Sequence, residues 1–98
     1  MDIIRSQNGT SLTLTLKGRL DTLTAPELER TLKEVLPGPT ELILDFSELD
    51  YLSSAGLRLL LSAQKQMQTQ GSMKLRGVSE TLMEIFEITG FSDILTIE

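Results

Sequence analysis

The 98-residue sequence contains no cysteine and no histidine, and these two absences exclude several kinds of chemistry. Without cysteine there is no disulfide, no thiol nucleophile and no thiolate metal site. Without histidine there is no Ser–His or Cys–His nucleophile pair and no imidazole metal ligand. The carboxylates of Asp21 and Asp45 could form an acid–base pair, although nothing in their spacing requires one. We therefore expect a protein that is not an enzyme, with no catalytic residues, no cofactor and no metal ion.

The sequence also has no apolar run of membrane-spanning length, and residues 1–5 lack the basic-then-apolar order of a signal peptide. A cytoplasmic location is the expectation that follows. The net charge of −5 opposes binding to nucleic acid and to anionic membranes. We therefore expect the partner to be another protein, and neither a nucleic acid nor a membrane. The length fits a single domain, residues 1–98, with no room for a second core.

Turn residues and apolar periodicity together predict an α/β domain. Asn8-Gly9 lies between a short apolar start and the strictly alternating segment Ser11–Lys17, which predicts a β-hairpin. Strands that alternate with helices imply a mostly parallel sheet of four or five strands, with the helices packed against it. Helices are predicted to begin near Thr24, Ser53–Ser54 and Ser79, and further strands are predicted over residues 42–46, 72–78 and 94–97.

The start of the first predicted helix carries two signals. Thr24 and Glu27 have the spacing of a capping box, in which Thr24 would be the N-cap. Leu23 and Leu28 occupy the two positions of a hydrophobic staple on either side of that cap. Asp21, in the preceding loop, is either a residue that caps local backbone or part of a functional surface.

The apolar run Leu42–Phe46 is nearly continuous, which is typical of a strand covered on both faces. Asp45 lies near the C-terminal end of this run, and sites in open α/β sheets cluster at the carboxyl ends of strands. We therefore expect Asp45 close to the Ser53–Ser54 loop. There it either takes part in a site or only accepts hydrogen bonds from nearby backbone N–H groups.

Two serines, Ser53 and Ser54, stand where the second long helix is expected to begin. The first turn of a helix has backbone N–H groups without internal partners, and the helix dipole favours an anion there. A serine at this place either caps the helix through its hydroxyl oxygen or presents that hydroxyl as the acceptor of a phosphoryl group. Position alone leaves both interpretations open.

Three segments, read together, resemble a known family. They are Gly18-Arg19-Leu20-Asp21, Leu44-Asp45-Phe46-Ser47 and Tyr51-Leu52-Ser53-Ser54-Ala55-Gly56-Leu57-Arg58. With the late Phe86-x-x-Thr89-Gly90-Phe91 segment, they are similar to bacterial anti-sigma factor antagonists, which are stand-alone STAS domains. The resemblance covers nearly the whole chain and implies one STAS domain, residues 1–98.

The resemblance also implies a partner-switching regulator of transcription. Members of this family bind an anti-sigma factor, itself a serine kinase, until that kinase phosphorylates a serine at the start of the second long helix. A serine phosphatase reverses the modification. The family's modified serine stands two residues before a glycine, which matches Ser54, with Ser53 as second choice; many members have aspartate where this chain has Ser53. The implied partner-binding residues are Asp21, Ser53, Ser54, Ala55, Gly56 and Arg58.

An alternative function stays open beside partner switching. Related STAS domains include subunits that only hold a complex together. Under that interpretation the chain would be a constitutive interaction subunit of a transport or signalling complex. It would not be phosphorylated, and Ser54 would serve only as a helix cap.

Overall fold

An N-terminal hairpin begins the sheet, as Asn8-Gly9 predicts. The structure, a computed structural model, describes all 98 residues. Strand β1 (Asp2–Asn8) and strand β2 (Ser11–Leu20) pair antiparallel. Gly9, in the connecting turn, has a φ of 63°, a conformation that favours glycine. The prediction of the hairpin is therefore confirmed.

Helices and strands alternate after the hairpin. The four strands form one sheet in the order β1-β2-β3-β4, in which β2–β3 and β3–β4 pair parallel. The predicted α/β architecture with a mostly parallel sheet is confirmed. The elements after the hairpin are helix α1 (Ala25–Val35), strand β3 (Glu41–Leu52), helix α2 (Ser54–Gln70), strand β4 (Ser72–Arg76) and helix α3 (Glu80–Thr89).

The strand predicted over residues 94–97 is reduced to a single bridge. A 3₁₀ turn (Phe91–Asp93) follows α3, and the two residues after this turn donate their backbone N–H groups to the carbonyl of Phe91. Only the last residues of the chain are extended, and Ile97 pairs with Leu75 of β4. The prediction of a full strand is wrong because the turn takes up the first half of the segment.

One apolar core lies between the helices and one face of the sheet. Alternate residues of β2 and β3, among them Leu14, Leu44 and Phe46, point into it and are at most 1% exposed. Burial of each such side chain contributes about 1.5–3 kcal/mol relative to its exposure. The helices add their apolar stripes to the same cluster: Leu28 and Leu32 from α1, Leu60 and Met67 from α2, Leu82 and Phe86 from α3.

The other face of the sheet carries no helix. Ile43 and Asp45, which alternate with the buried residues of β3, are only half buried. The prediction that residues 42–46 are covered on both faces is therefore wrong. The reason is topological, since β2, β3 and β4 follow one another in a single direction across the sheet. Right-handed crossovers between strands in that order place α1 and α2 on the same face.

Strands β2 and β3 both extend to the end of the sheet at which α2 begins. Two register irregularities between these strands break the strict alternation of side chains. As a result, Leu49 and Leu52 of β3 are both buried although they lie three residues apart. At the end of β2 the carbonyl of Leu20 accepts the backbone N–H of Ser53 at 2.9 Å. This hydrogen bond attaches the start of α2 to the sheet.

Candidate functional site

The two serines at the N-terminus of α2 have different roles. Ser53 is the N-cap: its backbone is extended (φ −93°, ψ 174°), and its Oγ accepts the backbone N–H of Gly56 at 3.4 Å. Ser54 is the first residue of the helix, and its side chain is exposed. The hydroxyl of Ser54 makes no hydrogen bond to the rest of the chain, so it is accessible to a visiting protein.

The N-terminal end of α2 gives Ser54 a positive electrostatic environment. The first turn of α2 contains no acidic side chain that would neutralise the helix dipole. Arg58, one turn after Ser54, is exposed and takes part in none of the ion pairs of the chain. Helical side chains lean toward the N-terminus, and residues four apart share a face, so Arg58 lies on the face of α2 that carries Ser54. The hydroxyl of Ser54 therefore lies where an added anion is stabilised.

Gly56 is buried and allows α2 to pack closely on the sheet. A Cβ atom at this position would lie 2.6 Å from Cδ1 of Leu52 and 2.8 Å from Cγ of Leu20. Both distances are shorter than any relaxed carbon–carbon contact, which has its optimum near 3.5–4.0 Å. The glycine of the Ser-Ser-Ala-Gly segment thus determines how near the first turn of α2 comes to β2 and β3. Its contact with a partner stays a prediction.

Asp21 caps the turn between β2 and α1. Its Oδ1 accepts the backbone N–H groups of Leu23 at 3.0 Å and Thr24 at 3.1 Å. The bond from Thr24 is the main reason why the pKa of Asp21 lies below its ordinary value, and Leu23 and Arg19 add to the effect. Local capping is therefore one role of Asp21 that the structure shows.

Thr24 stands at the N-cap position of α1, as predicted, but the predicted capping box does not form. Its backbone is already helical (φ −94°, ψ −19°), and its side chain makes no capping hydrogen bond to α1. Its Oγ1 instead accepts the backbone N–H of Asp21 at 2.9 Å and donates to the carbonyl of Arg19 at 2.8 Å. The prediction of a hydrophobic staple is also wrong, because Leu23 is 89% exposed and a staple residue would be buried.

Three residues that are not among the predicted partner-binding residues lie at this end of the sheet. Arg19 forms an ion pair with Asp21 at 3.5 Å, and its guanidinium lies 4.2 Å from the ring centroid of Tyr51. Tyr51 and Leu23 are both exposed apolar side chains. The only signal in the sequence was that Tyr51 is the single tyrosine and stands two residues before Ser53. These side chains add exposed apolar and aromatic area at the end of the sheet where α2 begins.

An open groove of about 370 Å³ runs between α1 and α2, beside the Ser54 turn. Ala55 and Arg58 line its α2 side, and Pro26 and Glu29 line its α1 side. Ala55 is half buried and Arg58 is exposed, so both are accessible from this groove. The predicted contact residues Ala55 and Arg58 therefore share this groove, and Ser54 directly precedes Ala55 on the first turn of α2.

Asp45 lies away from this surface. Strand β3 continues for seven residues beyond it, so the prediction that Asp45 is close to Ser53–Ser54 is wrong. Its Oδ1 accepts the backbone N–H and the hydroxyl of Ser47, at 2.9 and 2.7 Å, and its Oδ2 pairs with Arg76 at 3.4 Å. The bonds from Ser47 are the main cause of a pKa below the ordinary value, with a smaller effect of Arg76. Asp45 therefore binds local backbone, the second of its two expected roles.

The structure contains neither a cluster of metal ligands nor a membrane-spanning helix. No group of three carboxylates comes together in a way that could hold a metal ion. None of the helices is both long enough and apolar enough to span a bilayer.

The geometry and the sequence define the class of protein. Residues 3–96 match the family model described as Mlab, STAS domain, so the chain belongs to the STAS-domain family. Among its relatives is the anti-sigma-B factor antagonist of Listeria monocytogenes, which is 34% identical over 98 residues, 97% of this chain and 85% of the relative. The anti-sigma-B factor antagonist of Bacillus subtilis is 32% identical over 92 residues, 93% of this chain and 84% of the relative.

The fold is that of solved anti-sigma factor antagonists. The structure resembles unphosphorylated SpoIIAA with a TM-score of 0.83 at 19% identity, over 99% of this chain and 88% of the other. It resembles Bacillus SpoIIAA in the phosphorylated form with a TM-score of 0.77 at 18% identity, over 99% and 91%. At these identities the likeness establishes the STAS fold, with its four-stranded sheet and three helices.

Proposed function

We propose that this chain is an anti-sigma factor antagonist that works by partner switching in the cytoplasm. The unmodified protein binds an anti-sigma factor that is also a serine kinase. Phosphorylation of Ser54 by that kinase releases the antagonist, and a serine phosphatase restores the unmodified form. The names of the relatives support the class of partner, and the surface around Ser54 supports the modified residue.

The observation that carries the proposal is the division of roles between the two serines. Ser53 caps α2, so the helix does not need the hydroxyl of Ser54 for its own stability. Ser54 is exposed on the first turn and can enter the active site of a kinase without local unfolding. A chain in which Ser54 were the cap would lose about 1 kcal/mol of helix stability on modification.

A phosphate on Ser54 is expected to leave the fold intact. It adds about −1.5 to −2 charges at neutral pH. The N-terminus of α2 favours this charge through its dipole, its unpaired N–H groups and Arg58 one turn later. That SpoIIAA has been solved in both forms, each similar to this chain in fold, supports the expectation.

The effect of the phosphate falls on the interface. A partner that covers the Ser54 turn would have to remove water from a dianion, which costs several kcal/mol unless matching cations are present. The same partner would contact the half-buried Ala55 and the exposed apolar side chain of Leu23 at this end of the sheet. We therefore expect phosphorylation to change affinity, with no change in architecture.

The test begins with Ser54→Ala as bait to isolate the cognate anti-sigma factor from the native cell. Incubation of the wild-type chain with this purified kinase and ATP should add one phosphoryl group, detected by intact mass. Ser54→Ala should remain unmodified, whereas Ser53→Ala should still be modified. In titration calorimetry the phosphorylated chain should bind at least about tenfold more weakly than the unmodified chain, which corresponds to about 1.4 kcal/mol.

Two outcomes would contradict the proposal. Equal affinity of the unmodified and phosphorylated chains would show that Ser54 does not control binding. A complex with a protein that has no kinase activity, unchanged by Ser54→Ala, would identify a constitutive interaction subunit. Ser6→Ala changes an exposed serine on β1, outside the groove; it is the matched control and should behave as wild type.

A further inference from the structure

The outer surface of α3 combines exposed apolar and acidic side chains. Ile88, in the last turn of α3, is 85% exposed, and Ile94, just after the 3₁₀ turn, is 46% exposed. Glu84 lies one helical turn before Ile88, and Glu87 is its neighbour in sequence; both are exposed. The inner side of the helix is occupied by Leu82 and Phe86, so Ile88 has no place in the core.

The net charge of the protein resides in this part of the chain. Residues 79–98 contain five acidic and no basic side chains, whereas residues 1–78 contain nine of each. Only Glu98 of the five forms an ion pair, with Lys74 at 3.8 Å. The remaining four carboxylates have no cationic partner within the chain: Glu80, Glu84, Glu87 and Asp93.

The C-terminal half of α3 is electrostatically unfavourable by itself. The C-terminus of a helix is the negative end of its dipole and is stabilised by cations. The last turn of α3 contains no basic residue, and Glu84 and Glu87 lie in or near it. A cation supplied from outside would relieve this repulsion. An apolar side chain would at the same time remove Ile88 from water.

This surface is separate from the Ser54 turn. Strand β4 ends at Arg76, which pairs with Asp45, whereas β3 runs seven residues further before α2 begins. Helix α3 therefore begins well short of the end of the sheet that carries Ser54. Ile88 is the ninth residue of α3, and at 1.5 Å per residue it lies roughly 12 Å along the helix from the first residue of α3. A protein bound at Ile88 could therefore remain bound while Ser54 is modified.

We propose that the outer face of α3, around Ile88, Glu84 and Glu87, is a second docking surface for a protein segment that carries apolar side chains flanked by lysine or arginine. Charge complementarity selects this occupant over a second copy of the chain, because two such faces would repel each other. The surface acts independently of the phosphorylation state of Ser54.

The test uses a synthetic helical peptide of leucine and lysine, titrated into the full-length isotope-labelled chain and followed by the NMR shifts of the backbone amides. Binding should saturate, should weaken as salt is raised, and should shift amides of α3 and of Phe91–Asp93. Ile88→Ser should weaken binding about tenfold, because an apolar contact is lost. Glu87→Lys should weaken it at least about fivefold by reversing one charge of the surface.

Matched controls separate this surface from general attraction to an acidic protein. Ile4→Ser changes an exposed isoleucine on β1, and Asp50→Lys makes the same change of charge on β3. Both should retain wild-type affinity for the peptide. The proposal would be overturned if these controls lost as much peptide affinity as the α3 variants, or if the NMR shifts spread over the whole surface. Equal binding of a peptide with glutamate in place of lysine would also overturn it.

Glu87→Lys provides a second readout that needs no peptide. It places a cation at the negative end of α3, so the urea midpoint of the free chain should rise while peptide affinity falls. If the surface is kept for docking at a cost in local stability, the substitution should raise stability and lower peptide affinity. A fall in the urea midpoint would show that the carboxylate of Glu87 stabilises the chain, and the electrostatic argument would be wrong.

Discussion

Gly56→Ala tests whether close packing beneath the Ser54 turn determines the position of α2. The added Cβ would lie 2.6 Å from Cδ1 of Leu52 and 2.8 Å from Cγ of Leu20. Both side chains are nearly fully buried, at 4% and 0% exposure, and have little space into which to move. The helix must therefore lift away from β2 and β3, or the two leucines must leave their preferred rotamers.

The expected cost follows from these contacts. Overpacking a well-packed core typically costs 1–3 kcal/mol, and alanine recovers up to about 1 kcal/mol because it favours the helix more than glycine does. Two contacts shorter than 3.0 Å place this site in the upper half of that range, at about 2–3 kcal/mol, so the net loss in the free energy of unfolding should be about 1–2 kcal/mol. For a domain of this size that corresponds to a fall in melting temperature of about 4–16 °C.

Urea unfolding followed by circular dichroism measures this loss, with Ser62→Ala as the control for a small change on the exposed face of α2. The slope of the unfolding free energy against urea should be unchanged, because the extent of unfolding is the same. A Gly56→Ala chain as stable as wild type, or more stable, would show that the first turn of α2 tolerates a side chain. The packing explanation of this glycine would then be wrong.

Two further changes test the charges of the molecule. Asp45 has a lowered pKa, so it stabilises the fold above the pKa of about 3.8 that it has in the unfolded chain, and this stabilisation is lost as the pH falls through its folded value. Asp45→Asn should therefore lower stability at pH 6 and flatten its decline below about pH 4, with Asp50→Asn as control; a decline as steep as in wild type would contradict this. In a chain phosphorylated at Ser54, Arg58→Gln should raise the pKa of the phosphate, measured by phosphorus NMR, because a cation one turn later favours the dianion. An unchanged phosphate pKa would mean that Arg58 does not reach Ser54.

Local chemistry within a few residues was readable from the sequence. Asn8-Gly9 predicted the hairpin, and Ser79 predicted the cap of α3, where its Oγ accepts the backbone N–H of Leu82 at 3.2 Å. Gly90, with a φ of 81°, ends α3 as expected for a C-terminal glycine. Each of these features depends on hydrogen bonds and backbone angles that neighbouring residues supply, so the pattern is sufficient to predict it.

The sequence also predicted part of the candidate site, but it did not predict which serine caps α2 and which one is exposed. The Ser53–Ser54 pair at the start of α2 was predicted from helix-start signals, and Ser54 was chosen by resemblance. Which serine caps the helix depends on the backbone angles at the junction, and these follow from the bond between the carbonyl of Leu20 and the N–H of Ser53. A contact across 33 residues leaves no local signature.

Tertiary structure alone decided which surfaces are covered and how far the strands run. Gly71 follows α2 with an extended φ of 167°, and a Cβ there would overlap the carbonyl oxygen of Thr40. Asp45 was expected near Ser54, yet the register irregularities carry β3 on to Leu52. The sequence by itself determined where helices and turns begin, because those depend on nearest neighbours. The covered face of the sheet and the contacts that place Ser54 at the surface depend on the hand of the crossovers and on pairing between distant strands.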